Sequence, residues 1–285
     1  MPAWRELGRD GLVEVREYHC AACEGAGPED ERFGATTISL VQRGVFAIRT
    51  DGAAQVLGPG FLLVGNAGQH FQASHPHGVG DRCLIFQFAP RAVEELAGQL
   101  RRGAERQPFA RNVLPPLPRV DAFSHLAEQR VRNARTLATS MGLEQLALAL
   151  ARQVLGHAGS GSARSDGATT VRDDARTRDQ ICAAMTHIED GAADELSLAD
   201  LAATVGLSPF HFVRLFKRQT GVTPYRFLVQ TRLRHAIALL RDTALPVTDI
   251  AYDVGFGDLS NFINAFRREV GCSPGRFRRR GLSTP

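Results

Sequence analysis

The amino-acid sequence predicts a two-domain α+β protein, with a small β-barrel and flanking helices followed by an all-α domain. The chain has 285 residues, and this length favours two domains. Short apolar runs bounded by glycines fill the first 88 residues, whereas apolar residues three and four apart dominate the later part. A stretch rich in glycine, serine and alanine interrupts the helical part at residues 158–174. We therefore predict domains at residues 1–157 and 175–285, joined by a flexible linker at residues 158–174.

Two sequence patterns follow each other in the N-terminal half, one typical of strands and one typical of helices. Its predicted strands are Leu12–Tyr18, Thr36–Gln42, Val45–Thr50, Gln55–Leu57, Phe61–Val64 and Cys83–Phe88, with glycine turns between several of them. Strands this short and this closely spaced are typical of a small barrel or sandwich. The predicted helices Arg91–Arg102, Asp121–Ser140 and Gly142–His157 follow, and their apolar stripes pack on the barrel or on a second subunit.

The composition bears on the compartment in which the protein works. No run approaches the roughly 18 apolar residues that a membrane span needs, and the first ten residues mix charges too freely for a signal peptide. Five scattered cysteines argue against a disulfide framework. We expect a cytoplasmic protein with no membrane partner.

Positive charge is concentrated in the last third of the chain. Between Phe210 and Arg280 there are thirteen basic and five acidic residues, a net +8, whereas the whole chain carries only +4. Clustering of this kind indicates a polyanionic partner.

An internal repeat is the most informative feature of the sequence. The segment Phe216–Phe227 (FKRQTGVTPYRF) recurs 50 residues later as Phe266–Phe277 (FRREVGCSPGRF), and an Ala-x-x-x-Gly pattern precedes each copy. Each copy predicts two helices around a glycine turn, which is the helix-turn-helix motif. The predicted helices are Leu198–Val205 and Pro209–Thr220 in the first unit, Val247–Val254 and 259–270 in the second, and Pro224–Arg241 between the units. Ser208 and Asp258 are the predicted N-caps, and Gly221 and Gly271 the C-terminal caps.

The second helix of each unit divides into two faces. Phe212, Leu215 and Phe216 share one face of the first helix, and Phe262, Ala265 and Phe266 share one face of the second, so both sets are predicted core. The outward faces then carry Phe210, His211, Arg214 and Arg218, and Ser260, Asn261, Asn264, Arg267 and Arg268. Arginine and asparagine suit guanine and adenine edges, and flanking basic side chains suit phosphates. The central helix, roughly 27 Å long, would hold the two reading helices about one DNA turn apart.

Residues 255–278, GFGDLSNFINAFRREVGCSPGRFR, complete a pattern that resembles the AraC/XylS family of bacterial transcription regulators over about residues 180–280. The resemblance implies two helix-turn-helix units on a shared central helix, double-stranded DNA and RNA polymerase as partners, and activation by a homodimer. It places base reading at Phe210, His211, Val213, Arg214, Ser260, Asn261, Ile263 and Asn264. The phosphate-contact candidates are Lys217, Arg218, Arg232, Arg267 and Arg268. It implies no catalytic residue and no cofactor.

The N-terminal half resembles the cupin-type sensor domain of the same family. The resemblance rests on the run from Gly58 to His70 and on His75-Pro-His77. Cupin enzymes hold a metal with a His-x-His pair, a glutamate and a further histidine. Here no glutamate follows His77 closely, and Asp81 is the only nearby carboxylate, so a metal-dependent enzyme is the least favoured function. The barrel interior is the expected pocket for a small-molecule effector, whose identity the sequence does not reveal.

Two alternatives concern the cysteines and histidines of this half. Cys20 and Cys23, preceded by His19 and followed later by Cys83, could bind zinc or sense oxidation. In the favoured interpretation, Cys83 is a buried strand residue, the histidines at 70, 75 and 77 lie in a loop at the barrel mouth, and no metal binds stoichiometrically. A third possibility makes this half an oligomerisation module only.

Overall fold

The computed structural model describes residues 3–9, 11–21, 29–50, 53–76, 80–99, 108–117, 120, 140–160 and 175–282. The strands in these ranges are β1 Ala3–Arg9, β2 Val13–His19, β3 Glu29–Arg32, β4 Thr36–Arg43, β5 Phe46–Thr50, β6 Ala53–Leu57, β7 Leu62–Gly65, β8 His70–Ser74, β9 Arg82–Phe88 and β10 Val113–Leu114. The helices are α1 Pro90–Gln99, α2 Ser140–Ser160, α3 Ala175–Asp190, α4 Leu198–Thr204, α5 Pro209–Thr220, α6 Pro224–Asp242, α7 Val247–Asp253, α8 Leu259–Val270 and α9 Pro274–Leu282.

The N-terminal strands form two antiparallel sheets. One has six strands in the order β1-β2-β9-β4-β7-β10, and the other has four in the order β3-β8-β5-β6. Within the described residues no strand pairing joins the two sheets. The prediction of a β-rich N-terminal half is therefore confirmed, whereas the predicted barrel is not: the described strands form two separate sheets, the sandwich that the strand pattern also allowed.

The central strands of the six-stranded sheet are buried on both faces. Ile38, Leu40, Leu84 and Phe86 alternate along β4 and β9 and pack with apolar residues of α1 and α2. The intervening side chains, such as Val41 and Ile85, point the other way and share a core with β5 and β6 of the second sheet. A cavity of about 120 Å³ lies between the two sheets.

Four strands have no counterpart among the predictions. Ala3–Arg9 lies at an edge with mostly exposed side chains, and Glu29–Arg32 is wholly charged, so neither shows apolar alternation. His70–Ser74 forms β8, which corrects the placement of His70 in a loop. The fourth, Val113–Leu114, is only two residues long.

Two predicted segments lie mostly outside the described residues. Of the predicted helix Asp121–Ser140 only the last residue is described, and it opens α2. Helix α2 continues to Ser160, three residues into the predicted linker, whose remaining residues 161–174 are not described.

The C-terminal domain contains the two predicted helix-turn-helix units. Helices α4 and α5 form the first and α7 and α8 the second, and each bound lies within one residue of its prediction. Gly206 and Gly255 turn the chain between the paired helices with φ of 67° and 91°, which side chains with a Cβ rarely adopt. Helix α6, 19 residues and about 28 Å long, joins the units.

The caps of the two reading helices differ. The Asp258 carboxylate accepts a 2.8 Å hydrogen bond from the Asn261 backbone N–H, whereas the Ser208 side chain makes no capping bond to α5. We therefore expect Asp258→Ala to lower the free energy of unfolding by about 1 kcal/mol and the matched Ser208→Ala to lower it by a few tenths at most. Urea denaturation of the two variants measures this difference. Equal losses would show that the Asp258 bond adds nothing to the helix.

The two domains share a continuous core. Phe61 of the N-terminal half packs against Phe227 of α6, with ring centroids 6.0 Å apart. Met185 of α3 lies so close to Gly58 that a Cβ at that glycine would be 2.7 Å from the methionine methyl. The Gln230 amide also donates to the carbonyl of Pro116. The core of the first unit is therefore not confined to the C-terminal domain.

The second unit has a core of its own. Phe262 and Phe266 of α8 pack with Ile237 of α6 and Ile250 of α7, and the buried members of this cluster all come from residues 229–266. No residue of the N-terminal half belongs to this cluster in the parts of the chain described. The N-terminal domain is thus built onto the first unit and not onto the second.

Candidate nucleic-acid interface

Helix α5 presents a mixed apolar and basic face to solvent. Phe212, Leu215 and Phe216 are buried as predicted, whereas Phe210, His211 and Arg214 are exposed and Val213 is half-buried. The Phe210 side chain is 81% exposed. An exposed phenylalanine at the N-terminal end of a helix gains nothing from the fold, so its apolar surface is available to a partner.

Helix α8 repeats the arrangement with polar side chains. Phe262, Ala265 and Phe266 are buried, and Ser260, Asn261 and Asn264 are exposed beside the half-buried Ile263. The Asp258 cap fixes the start of this helix and with it the position of Asn261. The eight residues predicted to read bases therefore lie on two exposed helix faces, one in each unit.

Basic side chains flank both faces. Lys217, Arg218, Arg267 and Arg268 are all exposed near the C-terminal ends of α5 and α8. In the described structure only Arg268 of these has an ion-pair partner, Glu269 at 3.4 Å, and an exposed pair of this kind is weak. Three of the four charges are therefore not neutralised by the fold.

Arg232 has a different environment from the other phosphate candidates. Its Nε donates to the carbonyl of Ala192 at 2.7 Å and its Nη2 to that of Asp194 at 2.9 Å, while its guanidinium lies 6.0 Å from the Phe256 ring centroid. These contacts tie the loop after α3 to the turn of the second unit. The structure thus gives Arg232 a role inside the fold.

Two exposed arginines escaped the residue-by-residue predictions. Arg276 and Arg279 lie on α9, directly after the second unit. Both contribute to the basic cluster of the last third of the chain. The repeat pattern predicts DNA contacts only for the second helix of each unit, so it assigns no role to α9. Their exposure extends the positive surface beyond α8.

The cavity between the sheets gathers polar groups that are far apart in sequence. Tyr18, Glu31, His75, Asp81 and Cys83 are among the side chains that line it. Glu31 was not predicted as a site residue, because its strand shows no apolar alternation. A cavity of about 120 Å³ has room for several water molecules or a small ligand.

The predicted zinc cluster is arranged differently from the expectation. His19 pairs with Glu17 at 3.3 Å. Cys20 lies beside His75 and Asp81 instead. Cys23 and His77 are outside the described residues. Cys83 is buried, as predicted. Burial and the adjacent Asp81 carboxylate raise the pKa of the Cys83 thiol well above its ordinary value, so it stays protonated and donates to Asp81. A protonated, buried thiol is a poor sensor of oxidation.

In the described residues no helix combines the length and apolar character of a membrane span.

A known protein family matches part of the C-terminal domain. A protein-family model described as "Helix-turn-helix domain" matches residues 201–280. The "HTH-type transcriptional activator RhaS" of Enterobacter sp. (strain 638) is 45% identical over 94 residues, which are 33% of this chain and 34% of the relative. The chain thus matches about a third of the length of this curated relative, which is a transcription regulator and not an enzyme.

Solved structures that resemble the chain include two regulators. A probable AraC family transcriptional regulator from Rhodopseudomonas palustris CGA009 is 29% identical, with 36% of this chain and 96% of that chain covered and a TM-score of 0.35. The C-terminal domain of AraT, a response regulator from Geobacillus stearothermophilus, is also 29% identical, with 35% and 84% covered and a TM-score of 0.35. The family match covers the repeat and the two exposed helix faces described above. Residues 201–280 of this chain therefore form a helix-turn-helix domain, similar in sequence to that of transcription regulators.

Proposed function

We propose that the chain is a sequence-specific DNA-binding transcription regulator that acts as an activator. The observation that carries this proposal is the pair of exposed helix faces on α5 and α8. Each helix is anchored by a buried apolar face, and its opposite face presents polar, basic or apolar side chains over at least one helical turn. Such a helix enters the major groove, where arginine reads guanine, asparagine reads adenine and apolar side chains contact the thymine methyl. Phe210 and Val213 fit the last of these roles.

Selection of bound sequences from a random double-stranded DNA library tests the proposal with the full chain. We expect enrichment of one consensus with two short conserved blocks about one helical turn apart, one block for each unit. The matched control is a chain with Arg214→Ala and Asn264→Ala together. Failure of the wild-type chain to enrich any consensus at low salt would overturn sequence-specific binding.

The flanking basic residues have a distinct expected effect. Arg267 is exposed and unpaired within the described structure, so a phosphate contact would release about one counterion on binding. Arg267→Ala is expected to weaken binding to every sequence alike and to lower the slope of log K against log salt by about one. Filter binding or fluorescence anisotropy over a salt series measures the slope. Arg241→Ala, near the C-terminal end of α6 and ion-paired with Asp242, serves as the control and should leave the slope unchanged. An unchanged slope for Arg267→Ala would remove Arg267 from the phosphate contacts.

The N-terminal half supports a sensing role in the same proposal. Its two-sheet fold is the cupin-like part of the regulator, and the cavity between the sheets is the pocket for a small-molecule effector. The core shared with the first unit gives that pocket a physical path to α5 and α6. Homodimerisation and contact with RNA polymerase, both implied by the resemblance, complete the proposal. A shift of the thermal midpoint of the full chain by an effector would separate a sensor from a simple dimerisation module.

A further inference from the structure

Three metal-binding types of side chain meet at one end of the cavity. Cys20 follows the last residue of β2, His75 follows the last residue of β8, and Asp81 precedes the first residue of β9. One ligand atom from each, a sulfur, an imidazole nitrogen and a carboxylate oxygen, lies within 4.8 Å of the other two. Pairing of β2 with β9 places Cys20 near Asp81, and the chain that leaves β8 of the second sheet places His75 beside them. These residues are separated by up to 61 positions in the sequence.

We propose that Cys20, His75 and Asp81 bind one divalent transition metal ion of the Zn²⁺ type. Thiolate, imidazole and carboxylate are the ligands that zinc prefers, at about 2.0–2.3 Å from the ion. Donor atoms around a tetrahedral ion are then roughly 3.5 Å apart, so small side-chain adjustments bring the three into range. His75 and Asp81 also line the cavity. The fourth coordination position of the ion would therefore face the cavity, where water or a small ligand can occupy it.

Burial of the carboxylate supports the need for a cation. The Asp81 side chain is only 4% exposed, and its one ion-pair partner in the described part of the chain is His75, at 2.7 Å. No lysine or arginine of the described residues pairs with it. A buried carboxylate is costly unless opposite charge compensates it, and a bound metal ion supplies that charge.

Neighbouring groups already orient two of the ligands. The Cys83 thiol donates to Asp81 Oδ2 at 3.2 Å, and the backbone N–H of Cys20 donates to the Asp81 carbonyl at 2.9 Å. The Phe46 ring stacks on His75 with centroids 5.5 Å apart, which limits rotation of the imidazole. Contacts of this kind around metal ligands raise affinity because they fix the ligand geometry before the ion binds.

The position of the site gives the ion a structural consequence. Cys20 and Asp81 adjoin strands of the six-stranded sheet and His75 adjoins β8 of the four-stranded sheet, and the two sheets share no strand pairing within the described residues. A metal bound by all three would cross-link the sheets at one end of the cavity. Metal binding would therefore stabilise the N-terminal domain, since a site formed only in the folded chain links binding to folding.

The test uses the full-length chain, stripped with a chelator under reducing conditions and then titrated with Zn²⁺ and separately with Co²⁺. We expect one ion per chain, a thiolate-to-Co²⁺ charge-transfer band in the near ultraviolet, and a rise in thermal midpoint with Zn²⁺. Cys20→Ser should abolish the band, and His75→Gln should weaken binding at least about tenfold. The matched controls are Cys272→Ser, a half-buried cysteine of the C-terminal domain, and His70→Gln, an exposed histidine on β8.

Both controls should behave as the wild type. The proposal is overturned if the wild-type chain shows no thiolate band, or if Cys20→Ser binds Co²⁺ with the same band and affinity. If a variant fails to fold without metal, the wild-type band still decides, because it reports the thiolate ligand directly. The experiment contains no DNA, so its result is independent of the proposed regulatory function.

Discussion

Replacement of Phe227 by alanine is expected to lower the free energy of unfolding by about 3–5 kcal/mol. The side chain is fully buried and its ring contacts both Phe61 of the N-terminal half and Phe216 of the first unit, each at 6.0 Å between centroids. Truncation therefore opens a cavity in a core that both domains use. Because the core is shared, urea denaturation should show the loss in N-terminal and C-terminal probes together.

Tyr225→Ala is the matched control for this prediction. It removes an aromatic ring from the same helix two residues earlier, where the side chain is 73% exposed. A change within about 0.5 kcal/mol is expected there. A loss below about 1 kcal/mol for Phe227→Ala, or a loss confined to one domain, would show that the two domains do not share this core in solution.

Arg214→Ala is expected to cost about 1–3 kcal/mol in binding to the selected site and to relax the preference for guanine at one position. Asn264→Ala should have the same cost at an adenine about one helical turn away, since Asn264 holds the equivalent place in the repeat. Both side chains are exposed, so neither change should alter the stability of the free protein. Competition binding against operators with single base substitutions measures the two preferences.

Arg214→Lys separates base reading from phosphate binding. Lysine keeps the charge but lacks the planar fork that donates two hydrogen bonds to guanine. We expect this variant to retain the salt dependence of the wild type and to lose most of the guanine preference. If the selected consensus is the same for wild type, Arg214→Ala and Arg214→Lys, Arg214 does not read a base.

The C-terminal domain could be predicted from the sequence almost residue by residue, because its determinants are local. Each signal depends only on residues close in sequence: the helical period of apolar residues, the N-cap at Asp258, and the turn glycines Gly206 and Gly255. The repeat then doubles each of these signals. Exposure of Arg214 and Asn264 follows from the same periodicity once the core face is known.

Features that depend on tertiary contacts could not be predicted in this way. Arg232 looked like other basic residues, and only the fold shows its hydrogen bonds to two backbone carbonyls. Cys20 was grouped with its sequence neighbours, whereas strand pairing places it beside Asp81. The number and spacing of the strands predicted a barrel or a sandwich, because they do not specify how strands are ordered within sheets.

The separation of the two helix-turn-helix cores affects how such a regulator can evolve. Substitutions around α5 are constrained twice, because the core behind this helix also supports the N-terminal domain. In the described chain, the buried members of the core under α8 all come from residues 229–266, so the outward side chains of this helix can vary without disturbing the cavity between the sheets. In the proposed regulator, the half of the operator that α8 would contact is thus freer to diverge between related promoters, while the half that α5 would contact stays tied to the packing shared with the N-terminal domain.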